Sequence, residues 1–419
     1  MNKNNPAEIY IERTIEAEIR PFINRREVIS LVGSRQSGKT TFLNHLQKEL
    51  LKEDKKTVYI TFENIQSRQL FENPEEFKSY YQDYDVLIID EFHYAKEGGQ
   101  KLKYLYDITD KKYIISGSSS LELTFKTGRY MVGRIATFKL LPFSFEEFLS
   151  ASDKPLSNLF KLEKPLSKVI ESSFLKNLET YLIYGGYPAV VLAKSNIEKE
   201  KILEGIVDNY LLRDIKDLLS LITEEELIKL IKLLAGQIGN LINYNELSTL
   251  SGLKYKQLLN HLEILKKTYI IDLIRPYSTN RRTELVKNPK VYFSDLGFRN
   301  YILGDFRSFD KRQDFGSMIE DYIYTKLTNN QTIISRVNFW RTKSGAEVDF
   351  IIEKEGKVVP IEVKYSSTPV VGKSLYSFIN KYKPNITYIV TKDVEKSIRI
   401  DKTEVFFIPA YKFSLDPLL

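Results

Sequence analysis

The stretch "VISLVGSRQSGKTTFLNHLQKELL", Val28 to Leu51, decides the fold of the N-terminal part of this chain. Val28–Val32 is an apolar, β-branched run of strand length, and the residues after Thr41 carry helical spacing. Between them "GSRQSGKTT", Gly33 to Thr41, matches G-x-x-x-x-G-K-[ST] in the context that motif requires, after a strand and before a helix. Gly33 and Gly38 let the loop turn tightly. The backbone N–H groups of Gly33, Ser34, Arg35, Gln36, Ser37, Gly38, Lys39, Thr40 and Thr41 then line an anion cradle, and the new helix points its positive end into it. The pattern predicts a site for ATP, with Lys39 reaching the β- and γ-phosphates and Thr40 ligating Mg²⁺.

Downstream, "DVLIIDE", Asp85 to Glu91, ends an apolar run in two acids, as a buried parallel strand with a functional carboxyl end does. Asp90 is expected to hold the Mg²⁺ shell and Glu91 to orient or deprotonate the attacking water. "KYIISGSSS" runs out into Ser118 and Ser119, which either sense the γ-phosphate or form a Ser- and Gly-rich turn. "GRYMVGRIATF" offers Arg129 and Arg134, each read either as an arginine finger completing a neighbouring subunit's site or as a surface residue.

The rest of the first 145 residues repeats this alternation. "TVYITFE", "KYIISGS" and "ATFKLLP" are further strands spaced by helical stretches, which implies a parallel α/β sheet. At 419 residues the chain exceeds one ordinary core, and several domains are expected. Four regions differ in pattern: an α/β region at 1–145, a helical one at 146–222 broken by "YGGYP", helices and two strands at 223–303, and mixed elements at 304–419.

Composition excludes some chemistry. There is no cysteine, so neither disulfides nor Cys-ligated zinc, and only three histidines. With 42% hydrophobic and 28% charged residues the chain reads as globular, and its net charge of +7 suits an anionic partner such as nucleic acid. The polar, acidic start does not read as a signal peptide, and no apolar run reaches the roughly 20 residues of a membrane helix, so no membrane is expected and the cytoplasm is the expected location.

In the third region, "NYNELSTLSGLKYKQLLNHLEILKKTYIIDLIRPY" reads as a winged helix-turn-helix. Asn245 is the expected N-cap of a short helix Glu246–Leu250, and Gly252 the turn. Leu258, Leu262 and Leu265 make the inward stripe of the next helix, with Lys256, Asn260, Glu263 and Lys267 opposite. "YIIDLIRPY" and "PKVYFSD" pair as the wing, with Arg281, Arg282 and Lys287 at its tip. Duplex phosphates are one partner for that surface; protein packing is the other.

The last region contains "AEVDFIIEKEGKVVPIEVKYS", Ala346 to Ser366. Strict alternation places Val348, Phe350 and Ile352 on one strand face and Asp349 and Ile351 on the other. It also places Glu362 and Lys364 opposite Ile361 and Val363. Asp349, Glu362 and Lys364 then converge, and Glu320 in "FGSMIEDYIYTKL" adds an acid at the margin of a helical core face, needing a metal or Lys364 as partner. Two carboxylates near a lysine are the parts of a Mg²⁺ nuclease. The alternative is a platform that binds nucleic acid, its acids forming a structural ion cluster.

Taken together, "GSRQSGKTT", "LIIDE", "SGSSS", "GR" and "LPFSFEEF" resemble a group of prokaryotic AAA-superfamily ATPases. The match runs on through "YGGYP", "LLRDI", "NPKVYFSDLGF" and "AEVDF…IEVK" and so covers nearly the whole chain. Ser119 departs from that group, whose members often carry Asn there. The D-x12-E-x-K spacing resembles the PD-(D/E)xK nuclease core, with Val348 in place of the usual Pro. The resemblance implies an α/β multidomain protein. It would comprise a P-loop AAA-type ATPase core, a helical lid with Arg213 as a candidate nucleotide contact, a winged helix-turn-helix and a C-terminal restriction-endonuclease-like domain. Glu320, Asp349 and Glu362 would be metal ligands there, beside Lys364. It implies a homo-oligomer that hydrolyses ATP and translocates on or remodels duplex or branched DNA. A nucleotide-controlled signalling or defence switch acting on protein partners is the other reading.

Overall fold

The computed structural model describes residues 10–117, 130–160, 166–215, 219, 225–277, 287–329, 336–354 and 356–414. The chain divides into two compact units: Met1–Phe143 with Lys267–Tyr269, and Ser144–Lys266 with Ile270–Leu419. The sequence reading split the second unit into three parts at 222/223 and 303/304. Among the described residues no helix is long and apolar enough to cross a membrane.

In the first unit the five apolar runs become five strands: β1 Val28–Val32, β2 Thr57–Thr61, β3 Val86–Asp90, β4 Lys112–Gly117 and β5 Ile135–Lys139. They pair in the order β2-β3-β4-β1-β5, all parallel. Strands β1, β3 and β4 are buried along their whole length, which explains why they read as mainly apolar runs rather than alternating ones. Ile29 and Leu31 pack with Phe42, Leu43 and Leu46 of helix Lys39–Lys52. Val28 and Val32 pack on the other face with Phe62, Phe71, Phe77 and Phe92. Apolar layers on both faces define a doubly wound sheet, whose ligand position is the carboxyl end of its strands.

The second unit carries a two-stranded ladder, β6 Ile271–Ile274 with β7 Lys290–Phe293, and a six-stranded sheet. The sheet contains β8 Val337–Arg341, β9 Glu347–Lys354, β10 Lys357–Val363, β11 Ile386–Thr391, β12 Lys396–Ile400 and β13 Thr403–Pro409, in the order β12-β13-β11-β10-β9-β8. Helix Phe315–Asn329 precedes β8, and helix Lys373–Tyr382 makes the crossover from β10 to its parallel neighbour β11. Helix, three strands, helix and strand therefore follow one another from Phe315 to Thr391, with β12 and β13 after them. Beyond β6 the chain continues onto β8: Phe339 N–H donates to Arg275 O, Tyr277 N–H donates to Phe339 O, and Asn338 Nδ2 also donates to Arg275 O. The β8 edge is thus paired rather than left open.

Two of the motifs quoted above dock on each other in this unit. Asp295 caps helix Leu296–Leu303 by accepting from Phe298 N–H, and it also accepts from Gly186 N–H in "YGGYP" at 2.7 Å. Gly185 has φ +77°, and a Cβ there would lie 2.2 Å from Asp295 Oδ1. Asn300 donates to the carbonyls of Leu182 and Ile183. Burial pushes the Asp295 carboxyl up to about 6, against the hydrogen bonds it accepts from Gly186, Phe298 and Gly297.

Candidate functional site

The phosphate loop closes the gap between β1 and helix Lys39–Lys52. Gly38 sits at φ +94° as the residue before that helix, a conformation that costs glycine nothing. Gly33 is set by close approach, since a Cβ would fall 1.9 Å from Leu140 O. Lys39 is buried and folds back over its own loop, donating to Gly33 O at 3.1 Å and Ser34 O at 2.8 Å. Burial lowers the ammonium to about 8; Glu91 and Asp90 oppose that shift, and Arg35 adds to it. A cation held this way can leave two weak carbonyl contacts for a phosphate oxygen, a stronger, charge-assisted partner. The loop is braced from outside by Arg13, which donates to Ser37 O at 2.9 Å and Leu141 O at 2.7 Å and lies over the Phe143 ring.

Asp90 ends β3, and its carboxylate gathers groups from two other strands and the loop helix. Thr40 Oγ1 donates to Oδ2 at 2.7 Å, Tyr59 Oη donates to the same oxygen at 2.5 Å, and Ser116 Oγ donates to Oδ1. Burial, with the Asp90 hydrogen bond behind it, raises the Tyr59 phenol well above its ordinary range, so it stays a donor. The sheet order explains the gathering: β4 lies between β3 and β1 and delivers Ser116, while β2 flanks β3 and delivers Tyr59. Glu91 follows in the left-handed region at φ +53°, which a non-glycine residue adopts at a cost of about 1 kcal/mol or more. Its N–H is held by Asp90 Oδ1 and Ser116 Oγ, and its Oε2 lies 3.1 Å from His93 Nδ1. A hydroxyl and a carboxylate side by side, Thr40 and Asp90, are a donor set that suits Mg²⁺.

In the second unit, helices Tyr244–Ser251 and Tyr255–Lys267 are separated by a turn with Gly252 at φ +81°, and β6 pairs antiparallel with β7. The cap of the first helix is Asn243, which accepts from Asn245 and Glu246 N–H, not Asn245 as expected. The helix starts two residues earlier, at Tyr244, because Asn243 takes the extended backbone that a cap needs. Leu258, Leu262 and Leu265 are buried, while Lys256, Asn260, Glu263 and Lys287 are exposed and Lys267 is half-buried. Arg281 and Arg282 lie outside the described residues.

The C-terminal acids come together, but not as strict alternation implied. The β8–β9 register slips by one residue between Asn338 and Trp340, so Asp349 and Phe350 both lie opposite Phe339. This bulge reverses the alternation. Val348 and Ile351 share a face against Leu375, Phe378 and Ile379, whereas Phe350 faces Tyr292 and Tyr324. The expectation that Val348, Phe350 and Ile352 line one face is corrected on that ground. Asp349 Oδ2 accepts from Val363 N–H at 2.7 Å, and Lys364 Nζ pairs with Glu362 at 2.9 Å. Glu320 has Lys290 rather than Lys364 as its hydrogen-bonded cation: its Oε1 accepts from Lys290 Nζ at 2.9 Å and Tyr292 Oη at 2.5 Å. Burial and the Asp349 charge push Glu320 up to about 7, and the same two causes push Glu362 up to about 7. Burial also raises Asp349, against the pull of Lys290. Among the described residues no group of three or more His, Asp or Glu stands in an arrangement that could hold a metal ion.

Residues 25–149 match the AAA domain. Residues 175–308 match a domain of unknown function, DUF8612, and residues 315–413 match another, DUF4143. The middle match spans what the sequence reading divided into lid and winged helix. The chain is 24% identical to an uncharacterized protein of Haemophilus influenzae over 96% of both chains. It is 27% identical to an uncharacterized protein of Methanocaldococcus jannaschii over 85% of this chain and 77% of that one. Among solved structures, the ADP form of the Aeropyrum pernix ORC2 protein covers 73% of this chain and 98% of its own at TM-score 0.38 and 16% identity. AMPPCP-bound DnaA from Aquifex aeolicus covers 62% and 89% at TM-score 0.31 and 14% identity.

Within the AAA domain, Arg134 stands at the amino end of β5, with β5 parallel to β1, so it lies at the opposite end of the sheet from Gly33. It is 3.4 Å from Asp107 and faces the Tyr106 ring. Ser118, Ser119 and Arg129 lie outside the described residues, as does the Arg213 side chain. Arg13, Tyr59, Ser116 and His93 went unread in the sequence. Only Ser116 had a signal, a hydroxyl two residues before the serines that were singled out.

Proposed function

We propose that the chain is an ATP hydrolase of the AAA type that acts on DNA. The observation that carries this is the Asp90 carboxylate, which holds Thr40, Tyr59 and Ser116 around one point at the carboxyl end of the sheet, beside a phosphate loop. With ATP bound, Lys39 leaves its loop carbonyls for the β- and γ-phosphate oxygens and stabilises the charge that builds there. Thr40 and Asp90 would hold Mg²⁺, which neutralises phosphate charge when bound. Glu91 leaves His93, orients water for in-line attack on the γ-phosphorus and takes its proton, and ADP and phosphate are released. Arg134 is too far along the sheet to serve its own phosphate loop, so an arginine-finger role for it requires a neighbouring copy in a homo-oligomer.

The exposed Lys256, Asn260 and Lys287 of the helix-turn-helix and wing suit contacts with duplex phosphates, and those contacts carry little sequence preference. The C-terminal domain, on this reading, holds DNA rather than cutting it. Steady-state phosphate release with single-stranded, duplex and branched DNA tests the proposal. It predicts a rate that rises with at least one of the three. A rate indifferent to all of them, with no DNA affinity at low salt, would leave an ATPase without a DNA role.

A further inference from the structure

The acid cluster of the second unit has a resident that comes from outside the hairpin. Lys290 opens the wing strand β7, and its side chain is 2% exposed. Its Nζ lies 2.9 Å from Glu320 Oε1 and 2.6 Å from Glu347 Oε1. Asp349 adds to the field it feels, so that Lys290 remains charged despite its burial. Two residues along the same strand face, Tyr292 donates to the same Glu320 oxygen, and its ring stacks on Tyr324 at 4.5 Å.

Much of the oxygen set around this ammonium is already committed, although among the described residues Glu362 Oε2 is buried without a hydrogen-bond partner. Glu320 Oε1 accepts two donors, and Glu347 divides its two oxygens between Lys290 and Arg341. Asp349 Oδ2 is held by Val363 N–H and Glu362 Oε1 by Lys364. A Mg²⁺ ion demands near-octahedral oxygens at about 2.1 Å, whereas Lys290 and the donors around it hold at least one oxygen of each of these four carboxylates. A buried ammonium close to several carboxylates supplies instead the positive charge that their burial requires.

We propose that Lys290 is the permanent counter-ion of this cluster, standing in for a divalent metal and fastening the wing strand to helix Phe315–Asn329 and β9. The cluster is then a metal-free ionic lock between the wing and the C-terminal sheet, and it does not cut nucleic acid. This inference uses no feature of the ATP site and stands or falls apart from it.

Titration of the nucleotide-free full chain with Mn²⁺, read from the free-ion resonance signal, tests it. Wild type and Asp349→Asn are expected to bind the same number of Mn²⁺ ions, because the comparison cancels any ion held at Asp90. Lys290→Met is expected to gain one Mn²⁺ per chain, and Lys290→Met with Asp349→Asn to lose it again. An ion present in wild type and lost in Asp349→Asn would overturn the proposal. So would a folded Lys290→Met that gains none. If Lys290→Met does not fold, the comparison of wild type with Asp349→Asn decides alone.

Discussion

Thr40 Oγ1 donates a 2.7 Å hydrogen bond to Asp90 Oδ2, joining the phosphate-loop helix to the end of β3. On the proposed function, Asp90→Asn and Thr40→Val each leave the sheet intact but lower ATP turnover by about 100-fold, the usual cost of one preorganised polar group. Steady-state phosphate release with unchanged circular dichroism checks both.

The Glu91 side chain lies apart from the hydrogen bonds that Asp90 accepts, with Oε2 3.1 Å from His93 Nδ1. Glu91→Gln is expected to keep affinity for a fluorescent ATP analogue and to lose turnover by about 10²- to 10⁴-fold, the range for removing a positioned general base. Loss of analogue binding instead would move Glu91 from chemistry to binding.

Stability of the second unit hinges on the "YGGYP" and "SDLGF" contact. A Cβ at Gly297 would fall 2.0 Å from Tyr184 O, and one at Gly185 2.2 Å from Asp295 Oδ1. Gly297→Ala and Gly185→Ala should each destabilise by about 2 kcal/mol or more, since backbone and a buried carboxylate must move. Denaturant titration measures it.

The same contact predicts a pH slope. The Asp295 carboxyl is pushed up to about 6 from an ordinary value near 4, so between those limits the folded chain binds more protons than the unfolded one. Its contribution to stability is therefore full below about pH 4 and falls away as pH rises to about 6. Asp295→Asn should flatten that part of the stability curve, and unfolding midpoints across this range in both proteins would show it.

Much of the AAA domain was legible because its signals are local. The phosphate loop is nine consecutive residues, and β3 carries its two acids at its own end. What the sequence hid depends on strand order. Tyr59 and Ser116 reach Asp90 only because β2 and β4 flank β3, and Arg13 braces the loop from a segment before the first helix. The C-terminal hairpin shows a different failure. Alternation assumes an unbroken ladder, and one extra residue opposite Phe339 sends Asp349 and Phe350 out of phase. Lys290 was invisible as a member of the cluster because its strand reads as the wing, with Glu320 thirty residues further on.

Salt dependence addresses the DNA surface. Lys256 and Lys287 are exposed, one on helix Tyr255–Lys267 and the other just before β7. If both meet duplex phosphates, replacing either with Ala lowers the log–log salt slope of binding by about 1, with little change in sequence preference. Unchanged slopes would assign this face to a protein partner.

The central claim is that Lys39, Thr40, Asp90 and Glu91 hydrolyse ATP. Phosphate release by wild type and Lys39→Ala, side by side with Mg²⁺ and saturating ATP, tests it most directly. The account predicts steady turnover in wild type and none above background in Lys39→Ala. Equal turnover in the two proteins would contradict it.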